Sequence, residues 1–238
     1  MQSKSTVKEI KERFDQDVER FSNLETGQQA TIDAPLTMDL IANAALACNP
    51  EAENLLDIGC GAGNLTLKIL EQFPQLNSDL LDLSKPMLIR AKDRVSWATT
   101  GKVNTLQADI REAKLEEGKY DIVVAAAVLH HLREEEDWEN VFAKIFKLLA
   151  PGGSFWISDL VIHDAPEVQQ MMWNWYGSYL EKLKGAEYRK DVFAYIAKED
   201  SPRSLFYQLN LMEKVGFTGL EILHKNSCFA AFGCRKPK

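Results

Sequence analysis

The feature that most constrains the fold is a short apolar segment that ends in a glycine-rich turn and continues into a helical pattern. It runs from residue 54 to 67 and contains Gly59, Gly61 and Gly63. Glycine lacks a Cβ atom, so this turn can bend sharply, approach a ligand closely and direct the next helix's amino end toward it. A dinucleotide fingerprint has its third glycine one position later, where this chain has Asn64. The segment therefore predicts a nucleotide or nucleoside cradle, and favours a ligand without a pyrophosphate.

Beyond this turn, strand and helix patterns alternate with short connections, which predicts a parallel sheet covered by helices on both faces. The predicted strands are 55–58, 78–83, 103–107, 120–127 and 154–158, followed by two apolar runs at 217–223 and 227–233. Only His224, Lys225 and Asn226 join the last two runs, and so short a connection suits a hairpin. We therefore predict an α/β, Rossmann-like, seven-stranded sheet that is mostly parallel with an antiparallel last strand.

Helices are predicted before the first strand and after the fifth. Thr6 and Glu9 form a capping-box pattern that begins a helix over about 6–21, and Asp33 begins a second helix after a polar connector. We expect both to pack beside or over the cradle. We interpret the chain as one domain, and its parts are an N-terminal helical cap at 1–50, a core at 51–160, an aromatic-rich insertion of two cap helices at 161–200, and a last helix and hairpin at 201–238.

Composition narrows the classes of partner. The 238 residues carry a net charge of −7 and no run of Lys and Arg interleaved with aromatics, so nucleic acid and anionic membranes are unlikely partners. No segment approaches the roughly 18 apolar residues of a membrane span, and the polar amino terminus does not resemble a signal peptide, so a cytoplasmic location is expected. The four cysteines have neither zinc nor disulfide spacing: Cys48, Cys60, Cys228 and Cys234. A small-molecule substrate is the expected partner.

Two carboxylates follow predicted strands and therefore reach the same edge of the sheet as the glycine turn. Asp82 ends the second strand, where a carboxylate can accept two charge-assisted hydrogen bonds from the vicinal hydroxyls of a ribose. Asp109, followed by Ile110, ends the third strand, where a carboxylate can meet an exocyclic amine beside an apolar wall. Because ligands bind at the carboxyl ends of such strands, these residues are expected to converge on one site.

With these residues in order, the sequence resembles the class I S-adenosylmethionine-dependent methyltransferases, in the branch of small-molecule enzymes. The resemblance covers about residues 53–160 and rests on five motifs: 57–63, Asp82, Asp109-Ile110, 120–125 and 149–153. It implies S-adenosyl-L-methionine as the cofactor and in-line transfer of its methyl group to a small-molecule acceptor. It also implies a reversed seventh strand beside the fifth, in agreement with the predicted hairpin.

The resemblance also implies individual contacts with the cofactor. It assigns the methionine moiety to the three glycines of the turn, the ribose to Asp82 and the adenine amine to Asp109. Other implied contacts, to the adenine rings or the amino group, are Leu83, Met87, Ile110, Asp57 and the carbonyl groups of Ala125 and Ala126. Structural roles fit some of these residues equally well, because Asp109 can cap the turn before Arg111, Asp57 can brace the glycine loop, and the apolar side chains can be core.

The candidate catalytic residues are histidines that follow the fourth and fifth strands. Methyl transfer from a sulfonium needs chiefly alignment and exclusion of water, so a general base is optional. His131 is the first candidate for such a base, followed by His130 and His163. The His-His-Leu sequence is alternatively a structural turn. Although His163, Asp164 and Asp159 imitate a metal site, their pattern does not match a known metal-dependent relative, and no metal is expected.

The acceptor is expected between the N-terminal connector and the insertion. Trp173, Tyr176 and Tyr179 are the candidate substrate-binding residues, together with Trp175, although their spacing of three and four residues is also typical of helix packing. Exposed aromatics in the insertion also permit a homodimer. A polar strip near the connector is a candidate lid over the cofactor: Arg20, Thr26, Gln28, Gln29 and Thr31.

Two alternative functions keep the same cofactor. The sequence Arg13-Phe14-Asp15 is somewhat similar to carboxy-S-adenosylmethionine synthase, which modifies the cofactor itself, and Arg189 and Arg203 are then loose candidates for holding the extra carboxylate. The other alternative is a non-catalytic, cofactor-binding partner subunit. An oxidoreductase is disfavoured by Asn64.

Overall fold

A seven-stranded sheet organises the chain in the computed structural model, which describes residues 4–23 and 28–238. The strand order is β3-β2-β1-β4-β5-β7-β6. The strands are β1 (Asn54–Ile58), β2 (Asn77–Asp82), β3 (Val103–Gln107), β4 (Tyr120–Ala126), β5 (Leu149–Leu160), β6 (Thr218–Asn226) and β7 (Phe229–Arg235). The order reverses between β1 and β4, and the carboxyl ends of strands at such a reversal form the usual ligand site of an open α/β sheet.

Strand directions confirm the predicted hairpin. The pairs β1–β2, β1–β4, β2–β3 and β4–β5 are parallel, whereas β7 is antiparallel to both β5 and β6. The fifth strand is longer than the predicted 154–158 because it also includes the Pro151-Gly152-Gly153 segment. Tyr120 pairs with Leu149 across that segment, and the register then shifts before Ile122 pairs with Ser154.

Nine α-helices lie in the described residues around the sheet. They are α1 (Val7–Gln16), α2 (Val18–Ser22), α3 (Ala34–Cys48), α4 (Asn64–Leu70), α5 (Lys85–Ala98), α6 (Glu135–Leu148), α7 (Pro166–Lys184), α8 (Ala186–Glu199) and α9 (Leu205–Val215). A 3-10 turn at Leu129–His131 follows β4. None of these helices is long and apolar enough to cross a lipid bilayer.

The first predicted helix is present but is divided in two. The capping box is confirmed, because the Thr6 hydroxyl accepts from the Glu9 amide while the Glu9 carboxylate accepts from the Thr6 amide. The helix does not continue to residue 21 as predicted, since Asp17 leaves helical geometry at φ −101° and ψ 11° and starts α2.

The hydrophobic core has two layers, one on each face of the sheet. Successive side chains of β4 alternate between them, as the period of two in a strand requires: Val123 and Ala125 pack toward α6 and α9, while Ile122 and Val124 pack toward α3, α4 and α5. All four are fully buried, which agrees with the predicted central position of this strand.

The insertion after β5 consists of the two predicted helices, α7 and α8, and has a core of its own. Tyr176, Leu180 and Ile196 are buried there against Phe229 of β7 and against Ile32, which lies just before α3. The insertion is therefore joined to the sheet through β7 and to the segment that follows the N-terminal helices.

Candidate active site

The glycine turn after β1 has the backbone geometry that the sequence predicts. Gly59, Gly61 and Gly63 have φ angles of 67°, 51° and 83°, a region that side chains other than glycine rarely adopt. A Cβ on Gly59 would lie 2.5 Å from the side chain of Val128, whereas nothing lies within 4 Å of a Cβ on Gly61. The main chain at Gly61 therefore borders open space, and the turn is fixed from behind by the segment that follows β4.

That open space is a cavity of about 330 Å³ at the carboxyl ends of β1, β2 and β4. Its volume lies within the usual range for small-molecule sites. The predicted cofactor contacts that line it are Asp57, Gly59, Gly61, Asp82, Leu83, Met87, Asp109, Ile110 and Ala126. Two predicted contacts do not line it, because Gly63 faces α5 and Ala125 is packed in the core.

Asp82 holds the glycine turn against the end of β2. Its Oδ2 atom accepts a hydrogen bond from the Gly61 amide at 2.9 Å, and its Oδ1 atom accepts one from the Ser84 amide at 2.8 Å. Burial raises the pKa of this carboxyl group. The side chain thus occupies the predicted strand-end position, and at the same time positions the loop.

Asp57 lies deeper, under the turn. It is buried, and its Oδ2 atom accepts a hydrogen bond of 2.6 Å from the hydroxyl of Thr66 on α4. Burial raises its pKa to about 7. This contact matches the bracing role that the sequence left open beside a cofactor role.

The carboxylate of Asp109 accepts hydrogen bonds from Arg111, two residues later in the chain. Arg111 donates to it from its amide at 2.9 Å, from Nε at 3.0 Å and from Nη2 at 2.7 Å. Burial alone would raise the pKa of Asp109, but these bonds outweigh it and lower the pKa. The capping alternative is therefore present in the structure, and the neighbouring Ile110 supplies an apolar wall of the cavity.

The opposite wall of the cavity comes from the N-terminal helices, as expected from their place in the sequence. Val7, Ile10, Phe14 and Phe21 line it from α1 and α2. This wall is apolar, in contrast to the glycine and carboxylate side.

Asn64, the residue that replaces the third glycine of a dinucleotide fingerprint, joins the two walls. Its Nδ2 atom donates to the Phe21 carbonyl at 2.9 Å, and its Oδ1 atom accepts from Arg94 at 2.7 Å. Sequence reasoning missed this tie, since nothing in the pattern of α2 indicates that its last turn reaches α4.

The N-terminal wall is held in place by α8. Arg13 forms an ion pair with Glu199 and donates to the Tyr195 hydroxyl at 3.0 Å, while the Ser5 amide donates to the Lys198 carbonyl at 3.1 Å. We call α1 and α2 the lid. These contacts join residues more than 180 positions apart, so the insertion acts on the cavity through the lid.

The two histidines after β4 have different surroundings. His131 lines the cavity, whereas His130 is buried behind it and shares a hydrogen bond between Nδ1 and Asp159. Burial alone would lower the pKa of His130, but the carboxylates of Asp159 and Asp200 raise it to about 9. Burial and the neighbouring His130 hold the pKa of His131 well below its usual value.

His163, the third histidine candidate, lies away from the cavity. Gln169 accepts from its amide, and Lys225 lies 2.9 Å from its Nε2 atom. It does not line the cavity with His131.

The aromatic residues predicted to bind the acceptor are packed together instead. Trp173, Tyr176 and Tyr179 belong to the core of the insertion and do not line the cavity. The Tyr176 and Tyr179 hydroxyls donate to the carbonyls of Ala30 and Gln29, each at 2.8 Å. Their acceptor-binding role stays a prediction, and this packing favours a structural one.

The predicted polar strip is only partly at the cavity. Gln28 lines it, whereas Arg20 pairs with Asp17 and Gln29 serves as the main-chain partner of Tyr179. Thr26 lies outside the described residues.

Comparisons with known proteins agree with this geometry. Residues 56–155 match the family model of a methyltransferase domain. An uncharacterized methyltransferase of Mycobacterium bovis is 31% identical over 120 residues, which are 50% of this chain and 55% of the relative. The central 100 residues of the chain are therefore similar to a methyltransferase domain. Human N-acetylserotonin methyltransferase, solved in complex with S-adenosylmethionine, has a TM-score of 0.60 at 15% identity, covering 96% of this chain and 57% of that one.

Two further methyltransferase-fold proteins are informative. The carboxy-S-adenosyl-L-methionine synthase of Shewanella amazonensis is 30% identical over 138 residues, which are 57% of this chain and 56% of that protein. The Burkholderia thailandensis 1,6-didemethyltoxoflavin-N1-methyltransferase, solved with its substrate and S-adenosylhomocysteine, has a TM-score of 0.65 at 16% identity, covering 100% of this chain and 93% of that one. The chain spans about half the length of the curated relatives it matches.

The cavity fits the cofactor of the methyltransferase family. The open border at Gly61 leaves room for a ligand against the main chain, Asp82 presents a carboxylate at the end of β2, and Ile110 provides an apolar wall. The methionine part of the cofactor needs the close approach to the main chain. The ribose needs a hydrogen-bond acceptor for its hydroxyls, and the adenine needs an apolar surface.

Proposed function

We propose that the protein is an S-adenosylmethionine-dependent methyltransferase that moves a methyl group by in-line displacement to a small-molecule acceptor. The observation that carries this proposal is the two-sided cavity: the glycine turn and Asp82 form one wall, and the apolar lid faces them across it. The cofactor, when bound, supplies a methyl group on a sulfonium, which is a good leaving group.

On the cofactor side, we assign binding to residues that line the cavity. Gly59 and Gly61 approach the methionine moiety, Asp82 accepts from the ribose hydroxyls, and Met87, Leu83 and Ile110 bracket the adenine. We also assign the adenine amine to Asp109. Arg111 fixes the orientation of its carboxylate, and each oxygen has a further lone pair that can accept from the amine.

On the acceptor side, we assign the lid. Val7, Ile10 and Phe14 cover the cavity with apolar surface, which excludes water and favours a small, largely apolar acceptor. His131 presents the imidazole at this wall and stays the predicted general base, with His130 behind it. Alignment of the acceptor against the cofactor is then the main contribution of the protein.

Calorimetry with Asp82→Asn tests the cofactor side. We expect S-adenosylmethionine and S-adenosylhomocysteine to bind the wild-type protein, and the variant to bind at least about tenfold more weakly because a charge-assisted bond is worth about 1.5 to 3 kcal/mol. Asp39→Asn is the control, since that exposed carboxylate pairs with Lys68 among the described residues and lies outside the cavity lining. Unchanged affinity in Asp82→Asn means that the ribose lies elsewhere.

The acceptor itself is found by turnover. The purified protein with S-adenosylmethionine is incubated with pools of small aromatic and apolar compounds that carry a hydroxyl, amine or activated carbon, and S-adenosylhomocysteine is quantified by mass spectrometry. We expect one pool to raise its production above the acceptor-free rate. Binding of the cofactor without turnover on any pool supports the alternative of a non-catalytic partner subunit.

Carboxy-S-adenosylmethionine synthesis is the second candidate, favoured by the 30% identity to the Shewanella amazonensis synthase. Against it, Arg189 is paired with Glu181 and Arg203 donates to the Arg133 carbonyl, and neither lines the cavity. Mass spectrometry of the nucleoside that copurifies with the protein distinguishes the two: the carboxylated cofactor supports the synthase, and the ordinary cofactor supports the methyltransferase. A cytoplasmic location and a homodimer stay predictions.

A further inference from the structure

We propose that His130, His131 and Asp200 form a binding site for one divalent transition-metal ion, directly behind the cavity wall. The three residues offer one ligand atom each, and these atoms lie within 4.8 Å of one another. The proposal goes beyond methyl transfer and does not depend on it, since an ion at this place is detectable without any reaction.

The spacing of the candidate ligand atoms is close to that of a metal site. Oδ1 of Asp200 lies 3.6 Å from Nε2 of His130 and 3.5 Å from Nδ1 of His131. Ligands about 2.1 Å from a tetrahedral ion are about 3.4 Å apart, so both separations need to change by only a few tenths of an ångström. Two imidazole nitrogens and one carboxylate oxygen are a ligand set for zinc and similar ions, with at least one coordination position left for another molecule.

His130 already has the orientation of a metal ligand. Its Nδ1 atom is hydrogen-bonded to the buried carboxylate of Asp159, which also accepts from the main-chain amides of Leu129 and His130. A carboxylate that holds one imidazole nitrogen fixes the ring and leaves the other nitrogen free to bind metal, an arrangement that is common around protein-bound zinc. Here that other nitrogen, Nε2, faces Asp200, and a metal ion would replace the proton that the neighbouring carboxylates favour on it.

The other two ligands lack partners that a buried polar group normally has. Oδ1 of Asp200 is buried without a hydrogen bond, and so are both imidazole nitrogens of His131. The main-chain carbonyl of Glu199 lies near enough to influence His131 without forming a well-aligned hydrogen bond. A buried polar group without a partner is destabilising, and a single ion would satisfy Asp200 and His131 together.

The charges around the site are mixed, and the three nearby cations have partners of their own. Lys4 donates to the main-chain carbonyls of Ala197 and Asp200. Arg13 is paired with Glu199, and Arg133 donates to the Ser5 carbonyl and the Ser201 hydroxyl. Among the described residues, neither guanidinium forms an ion pair with Asp200. Asp159, Asp200 and Glu199 therefore place three carboxylates around the two imidazoles.

The site lies behind one wall of the cavity. His131 lines the cavity, whereas His130 and Asp200 lie behind it. An ion held by the three residues would therefore be separated from the cavity by the His131 side chain, whose ring nitrogens are buried.

Cobalt(II) titration of chelator-treated protein tests the proposal. We expect one equivalent of Co²⁺ to bind and to give the visible absorption of a low-coordinate site with nitrogen and oxygen ligands, and one equivalent of Zn²⁺ to displace it and raise the melting temperature. An intense near-ultraviolet thiolate band would place the ion on a cysteine and overturn the proposal, as would the absence of stoichiometric uptake.

The matched variants are His131→Ala and His163→Ala. His131→Ala removes a ligand and should weaken Co²⁺ binding at least about tenfold, in line with the loss of a first ligand or its orienting partner. His163→Ala removes a histidine outside the cluster and should bind as the wild type does. Circular dichroism shows whether His131→Ala is folded. If it is not, Asp200→Asn serves as the second ligand variant. Equal uptake by wild type and both ligand variants overturns the site.

Calorimetry with S-adenosylmethionine on the same samples separates this proposal from the proposed function. Cofactor binding without metal uptake removes only the metal site. Metal uptake without cofactor binding removes only the methyltransferase proposal.

Discussion

The two walls of the cavity are built in different ways. The glycine turn is local, since Gly59, Gly61 and Asp82 are fixed by their own backbone conformations and by hydrogen bonds between adjacent strands. The lid is non-local, because α1 is held by Arg13 on Glu199 and by Ser5 on Lys198 at the opposite end of the chain. We therefore expect the cofactor wall to be rigid and the lid to open in a local transition, which lets ligands enter.

The largest expected effect comes from damaging the rigid wall with Gly59→Ala. Alanine at this position would have to adopt a strained positive φ, which costs roughly 1 to 2 kcal/mol. Its Cβ atom would also lie 2.5 Å from the side chain of Val128, which adds roughly 1 to 3 kcal/mol of overpacking. We expect the free energy of unfolding to fall by about 3 kcal/mol in urea titrations, and cofactor binding to be lost.

Gly118→Ala is the matched control for this variant. Gly118 has a similar φ of 69° but open space around its Cβ position, so only the strain of about 1 kcal/mol applies. Equal destabilisation by the two variants would show that Val128 does not limit the turn.

Releasing the lid is the next test. Arg13→Met leaves the buried Glu199 carboxylate without its partner, which we expect to cost about 2 to 3 kcal/mol, less than the cost of a fully buried pair because Arg13 is partly exposed. The loss should appear in the lid alone: amide hydrogen exchange in α1 should accelerate on the order of a hundredfold, while β1 and β4 keep their protection.

Lys11→Met on the same helix is the control for lid release. Its pair with Asp15 is partly exposed and spaced i,i+4, so its loss should change exchange by less than about threefold. If β1 and β4 lose protection together with α1 in Arg13→Met, the two walls unfold as one unit and the distinction between them fails.

The pH dependence of stability sharpens the description of the rigid wall. Burial raises the pKa of Asp57 to about 7, above its ordinary 3.8, so between these pH values the native state holds a proton that the unfolded chain has released. Stability from this residue is therefore greatest at low pH, falls as the pH rises toward 7, and stays reduced above it.

Asp57→Asn should remove this dependence, because the amide oxygen can still accept from Thr66. We expect the free energy of unfolding of the variant, relative to that of the wild type, to increase by about 2 to 3 kcal/mol between pH 5 and pH 8 in urea titrations. Asp39→Asn is an exposed control that should show no such growth. Parallel pH profiles for wild type and Asp57→Asn would mean that Asp57 is charged in the native protein at pH 5.

The smallest expected effect is that of Tyr179→Phe in the insertion. It removes one hydrogen bond to the Gln29 carbonyl, worth about 1 kcal/mol. If the residue is structural, as its packing favours, the melting temperature falls by a few degrees and the KM for the acceptor is unchanged. A rise in that KM without a change in stability would restore the predicted acceptor-binding role.

Much of the cofactor wall was predictable from the sequence. Glycine permits the positive φ angles that the three positions adopt, and alternation of strand and helix predicts a parallel sheet whose strand ends meet at one edge. Asp82 follows directly, because a residue at the end of β2 has no other edge to face. The short connection before β7 likewise left only an antiparallel hairpin.

The surroundings of the insertion aromatics and of the two adjacent histidines could not be predicted, for two physical reasons. Aromatic side chains at helical spacing pack equally well against a ligand or against each other, and only the tertiary structure placed Trp173 and Tyr176 in a core of their own. Adjacent histidines look alike in sequence, but the 3-10 turn points His131 to the cavity and His130 to Asp159.

The sequence by itself thus determined the fold and the position of the glycine turn at the cavity, because these depend on backbone conformation and on interactions between neighbouring elements. The tertiary structure decided which side chains face the glycine turn across the cavity. It brought Arg13 onto Glu199 and Asp200 beside His130 and His131, contacts whose partners lie about 70 to 190 residues apart and leave no local pattern. Side-chain contacts at such separations follow from the packing of the whole chain.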